Sequence, residues 1–190
     1  MTYRHRDLGA LGVCLVLGGL ALGDVPRVPG LSLVDLGFAS LGRFAGEVVR
    51  AGIGNPIPPA VGGLLVPVAV PLVLAVRSLA SPRERPVGAV CLAWAATVLT
   101  ALAVTVQQAA EPGPADSGTA SDWAVVLGPP GLRALEHAAG VASLLRSGAM
   151  VLVVAAVLIC AAPILGDLVR AAARTEASAG VWNGPNRRRV

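Results

Sequence analysis

Asp35, Arg43, Glu47 and Arg50 stand inside a segment that is apolar on average, residues 31 to 50, LSLVDLGFASLGRFAGEVVR. Ionisable side chains in such a setting cannot comfortably face lipid and mark functional positions by default. Arginine is a permanent cation with donors only, suited to locking a carboxylate. Asp35 is expected to pair with Arg43 or Arg50. Arg43 and Glu47 are four residues apart and can meet on one helix face, although the Arg-before-Glu order is the weaker one. Packing of the helix is the competing use of these charges. A second polar group, Asp122-Trp123, follows an acidic stretch rich in Pro, Gly and Ser, residues 111 to 122. The histidines are His5 and His137, and Glu136 and His137 are consecutive and do not share a helix face, so no metal and no cofactor is expected.

The elements that must position these groups belong in a bilayer. Hydrophobic residues make up 55% of the 190 positions and charged residues 14%, and the mean hydropathy is +0.73. That balance is far more apolar than a soluble domain's. The expected fold is all-α, a polytopic integral membrane helical bundle with four spanning helices at 8 to 23, 60 to 79, 87 to 106 and 149 to 168. Crossing a hydrocarbon core of about 30 Å takes roughly 20 helical residues. The first run also resembles a signal peptide with a small-x-small site at Ala21-Leu22-Gly23, though retention is favoured. One membrane domain over 1 to 170 and a disordered tail over 171 to 190 complete the organisation.

Between these spans the pattern changes. Apolar positions 34, 38, 41, 45 and 48 recur at helical spacing, so residues 31 to 50 form an amphipathic helix, either packed inside the bundle or lying at the interface. The prolines of Gly54-Asn55-Pro56-Ile57-Pro58-Pro59 force a loop. Pro67 and Pro71 are expected to kink the next helix, and Pro163 to break the last one. Residues 111 to 122 read as an exposed loop, and 131 to 146 as a helix on the membrane surface. Gly19 to Gly23 and Gly42 to Gly46 each fit GxxxG, with internal packing the favoured use. Cys14, Cys91 and Cys160 are odd in number, fall in different apolar runs and read as small buried hydrophobes.

All 15 basic residues are arginine, as in a GC-rich bacterial genome. With four spans, ten of them (Arg4, Arg6, Arg77, Arg83, Arg85, Arg170, Arg174 and Arg187 to Arg189) collect on one side. That side is cytoplasmic by the positive-inside rule, so both termini are expected in the cytoplasm of a multi-pass inner-membrane protein. If residues 31 to 50 also span, the N-terminus moves outside, against Arg4 and Arg6. The net charge of +4 comes from topology, and no basic face interleaved with aromatics points to nucleic acid. The lipid bilayer and a membrane-protein partner are the expected partners.

The stretch Asp35-Leu36-Gly37-Phe38-Ala39-Ser40-Leu41-Gly42-Arg43-Phe44, followed by Gly62-Gly63-Leu64-Leu65-Val66-Pro67, resembles small bacterial membrane proteins related to site-2-type zinc metalloproteases. In that group a Phe-His-Glu-x-Gly-His-x-x-Phe segment precedes a Gly-Gly motif and a Pro-bearing helix. A later His-Asp-Trp motif and Leu-Gly-x-x-Gly-Leu pattern are matched here by Ser121-Asp122-Trp123 and Leu127-Gly128-Pro129-Pro130-Gly131-Leu132. The resemblance implies metal-site positions at Ala39, Ser40, Arg43 and Ser121, each without its ligand or base. In a His-Glu-x-x-His helix two imidazoles four apart grip zinc and the carboxylate activates water. Ala, Ser and Arg do neither, so the resemblance implies a noncatalytic scaffold or partner-binding subunit. A small transporter or channel accessory subunit using Asp35, Arg43 and Glu47 is the alternative. A peptidase with Ser40 as nucleophile lacks a neighbouring base.

The charge pattern has a direct test. In a background free of the three native cysteines, a cysteine replacing Arg83 should react with an impermeant maleimide only from the cytoplasmic side, and one replacing Ala115 only from outside. The reverse pattern would invert the topology.

Overall fold

A computed structural model describes residues 2–23, 29–53, 57–111, 118–128 and 132–181, without the side chains of 2–4, 29–33, 53, 118–121 and 177–181. It is an all-α bundle of α1 (Thr2–Leu22), α2 (Pro29–Ile53), α3 (Ile57–Leu79), α4 (Arg85–Ala110), α5 (Gly118–Leu127) and α6 (Leu132–Val181). Among the described residues there is no strand. Helices α1, α3, α4 and α6 each contain a stretch long and apolar enough to cross a membrane.

The central helix is α4, which packs against α1, α3, α5 and α6. Apolar attraction between helices vanishes in lipid, and close van der Waals packing through small residues replaces it. α4 presents Ala89, Ala93, Ala96, Thr100 and Ala103 in steps of four and three, all at most 3% exposed. α6 answers with Ala134, Ala138, Ala142, Ala149, Val153, Ala156 and Cys160 on one buried stripe. The two stripes meet in three successive core clusters along the bundle.

This continuous stripe corrects two expectations. Residues 132–146 are not a separate helix; they are the first turns of α6 and run alongside α4. Pro163 does not break the helix, which continues through it. The tail expected to be disordered from residue 171 stays helical to Val181, and 182–190 fall outside the described residues. Pro58 and Pro59 belong to the first turn of α3 rather than to a loop, a position where a missing backbone donor costs little. Residues 118–122 of the expected loop form the start of α5, with Asp122 8% and Trp123 9% exposed.

Helix α2 is built inside out relative to its apolar pattern, except that Phe38 packs on Trp94 of α4. Val34, Leu41, Ala45 and Val48 point away from the protein, as do Leu36 and Phe44, while Ala39, Gly42 and Gly46 face α3. A Cβ on Gly42 would collide with the Gly62 carbonyl, one on Gly62 with the Gly42 carbonyl, and one on Gly46 with Pro58 and Pro59. The pairs 42 with 62 and 46 with 58 make α2 and α3 antiparallel at backbone contact, the internal use of GxxxG. Gly19 has open space around it.

Contacts along α4 give the direction in which α2 runs. Ala10 of α1 shares a core cluster with Ala89, and Ala21 one with Ala96. Asp35 of α2 reaches Trp94, and Arg43 reaches the α5 segment that is bonded to Thr105 of α4. So α1 and α2 both run in the direction of α4, α1 along residues 89–96 and α2 level with 94–105. α2 therefore adds depth without reversing the chain, and the N-terminal end, the 80–84 connection and the α6 extension share one end of the bundle.

Gly62→Ala should destabilise the protein by about 1 to 3 kcal/mol, the usual cost of overpacking. Gly19→Ala should be neutral or stabilising by up to about 1 kcal/mol. Thermal unfolding in detergent reads both, and equal effects would remove the close approach as the cause.

Candidate functional site

The backbone contact of α2 with α3 carries the polar residues of α2 into the bundle at two depths, for which α4 serves as a ruler. Trp94 lies nine residues after Arg85, about 13 Å along the axis at 1.5 Å per residue, and Thr105 about 30 Å along it. The polar groups expected to act together divide between these two levels.

At the far level Arg43 meets Asp122. Arg43 Nε donates to Asp122 Oδ2 at 2.7 Å, and Nη2 lies 2.7 Å from the same oxygen. Nη2 is buried yet makes no well-directed hydrogen bond, so the contact there is an ion pair by distance and not a parallel two-bond fork. Asp122 is held by α5, whose next residue, Trp123, donates from Nε1 to Thr105 Oγ1 at 3.2 Å. Thr105 in turn donates to the Leu102 carbonyl at 3.0 Å. Gly63 forms the floor: a Cβ there would lie 2.6 Å from Asp122 Oδ2 and 2.9 Å from Arg43 Cγ. The Gly62-Gly63 pair thus serves two contacts at once, the first glycine admitting α2 and the second admitting the ion pair.

At the middle level Asp35 accepts a hydrogen bond from Trp94 Nε1 at 3.0 Å. Phe38, one turn further along α2, lies against Trp94 with ring centroids 6.1 Å apart and planes tilted by 41°. Asp35 therefore pairs with neither Arg43 nor Arg50. Glu47 bonds to Arg50 at 3.1 Å on the exposed face rather than to Arg43. Both departures have the same source: α5 offers Arg43 a buried carboxylate, and Glu47 then takes the basic residue three positions after it.

The remaining sites of interest are dispersed. Ala39 is buried at 4% exposure, and Ser40 is exposed with its hydroxyl donating to the Leu36 carbonyl at 2.8 Å. Ser121 lies in α5, with its side chain outside the described residues. His137 is exposed, its Nδ1 2.7 Å from the Arg133 carbonyl. Among the described residues no three His, Cys, Asp or Glu side chains gather closely enough to share an ion. The three cysteines are free thiols in one core cluster, with Cys14 of α1 beside Cys160 of α6.

Sequence reasoning singled out Asp35, Arg43, Asp122 and Trp123 but missed their partners Gly63, Trp94 and Thr105. A tryptophan and a threonine within a clearly apolar span were the available signals, since each carries a donor that must find an acceptor in lipid. Comparison with protein-family models, curated proteins and solved structures gives no match to this chain.

The ion pair predicts an asymmetry. Arg43→Met leaves a nearly buried carboxylate without its cation, whereas Asp122→Ala leaves an arginine one-third exposed that can reach the interface. Arg43→Met should cost about 2 to 4 kcal/mol and Asp122→Ala about 1 to 2, with the double variant less destabilised than their sum. Unfolding titrations of the three variants check the order.

Proposed function

We propose that the protein is a noncatalytic integral membrane component, a scaffold or partner-binding subunit built on a site-2-metalloprotease-like plan from which the metal chemistry is missing. The observation that carries this reading is the occupation of the α2 face by Arg43. Ala39 and Arg43 stand one turn apart on the side turned to α3, and Asp122, from the second motif, comes to meet Arg43. That convergence supports the plan implied by the resemblance, and the residue types oppose the activity. Ala39 has no ligand atom, the Ser40 hydroxyl is engaged with its own helix, and a guanidinium repels a metal ion. The ion pair holds α2 against α5 where, in the implied ancestor, a shared ion would have done so.

The proposed setting is the bacterial inner membrane with both termini cytoplasmic, supported by the arginines of the shared bundle end and tail. The partner is a membrane protein, and the outward face of α2, with Phe44 70% and Val48 65% exposed, is the proposed contact.

Two measurements test the proposal. Protein purified from zinc-supplemented cells should contain no stoichiometric zinc and cleave no membrane peptide. A photoreactive residue in place of Phe44 should yield one discrete protein adduct in native membranes, absent when the same residue replaces Leu144 of α6. Stoichiometric zinc with peptidase activity, or adducts to lipid alone, would overturn it.

A further inference from the structure

Asp35 is a carboxylate short of positive charge. Its hydrogen-bond donor among the described residues is Trp94 Nε1, a neutral group, while an ionised carboxylate offers about four acceptor sites. The cations of its own helix are committed elsewhere, Arg43 to Asp122 and Arg50 to Glu47. An ionised carboxylate half-buried among apolar helices is costly unless a proton or a cation matches its charge. The arrangement therefore favours an arriving cation.

The walls say which kind. Trp94 meets the carboxylate with its indole N–H, and Phe38, one turn along α2, packs on Trp94; aromatic faces attract cations through the ring quadrupole, most strongly when water is excluded. Metal ions such as calcium and magnesium require six or more oxygen ligands, and one carboxylate beside two rings does not supply them. An organic cation whose charge is spread over an apolar body needs only a counter-charge and ring contacts. Access is lateral: α2 packs closely on α3, while its approach to α4 at this level is made by the side chains of Asp35, Phe38 and Trp94, all three half-buried. The apolar Val34 and Leu36 beside them face outward.

We propose that Asp35, Phe38 and Trp94 form a lateral binding site for a lipophilic organic monocation of the ammonium or phosphonium class, entered from the bilayer. The inference goes beyond the scaffold reading and stands whether or not that reading holds.

The test uses the full chain in lipid nanodiscs with tetraphenylphosphonium as the probe. Equilibrium dialysis should show saturable binding near one probe per chain. Asp35→Asn should weaken it by at least about tenfold, equivalent to 1.4 kcal/mol; Asp35→Glu should retain binding, and Asp167→Asn, at an exposed carboxylate of the α6 extension, should leave it unchanged. A photoreactive phosphonium on the unaltered protein should label peptides containing 34–38 or 90–98, which keeps the proposal testable if Asp35→Asn fails to fold. Absence of saturable binding, undiminished binding by folded Asp35→Asn, or labelling confined to other segments would each overturn it. The zinc and crosslinking results for the scaffold reading are independent of all three.

Discussion

The contact on which the site depends is the meeting of two backbones at Gly42 and Gly62. Glycine on both sides removes the Cβ atoms that would hold α2 and α3 apart, and Gly46 against Pro58 and Pro59 extends the approach by another turn. Close approach of this kind is how helices associate in lipid, where burying apolar surface gains nothing over leaving it in hydrocarbon. The interhelical polar contacts that Arg43 and Asp35 make follow from it. Held this near to α3, α2 delivers Arg43 across Gly63 to Asp122 and sets Asp35 at the level of Trp94.

The lipid solvent also explains the distribution of side chains. Large apolar residues of α2 and α6 face outward, as Phe44, Val48, Leu144 and Leu158 do, and alanine fills the seam between α4 and α6. A water-soluble bundle would reverse this. The threonine and tryptophan donors of α4 and α5 are satisfied locally or across helices: Thr97, Thr100 and Thr105 bond to carbonyls of α4, and Trp94 and Trp123 reach Asp35 and Thr105. Asp35 is the exception, an acceptor with capacity to spare, and that excess separates it from the Arg43–Asp122 pair, whose charges answer each other.

Apolar runs located α1, α3, α4 and the later part of α6, because length and hydropathy are properties of the chain alone. The orientation of α2 was not legible in the same way. Its apolar stripe at 34, 38, 41, 45 and 48 has the same period whether it faces a core or lipid, and periodicity does not say that Phe38 packs on Trp94 while the others face outward. Residues 132–146 misled for a related reason: Arg133, Glu136 and Arg146 give a surface-like composition, while the stripe of Ala134, Ala138 and Ala142 that docks on α4 is too small in side chain to stand out. In residues 111–122 the Pro, Gly and Ser content masked the start of α5, whose burial rests on Trp123 finding Thr105.

The sequence by itself determined that this chain is a bundle of apolar helices, that charges collect in α2, and that no histidine or cysteine stands at the metal positions implied by the resemblance. Those are facts of composition and order, present before any contact forms. Only the tertiary structure decided that Arg43 takes Asp122, that Asp35 is left with Trp94, and that α1 and α2 run in tandem along α4. Partner choice depends on distances between segments far apart in the chain, here 79 residues for one pair and 59 for the other, and local pattern carries no record of such distances.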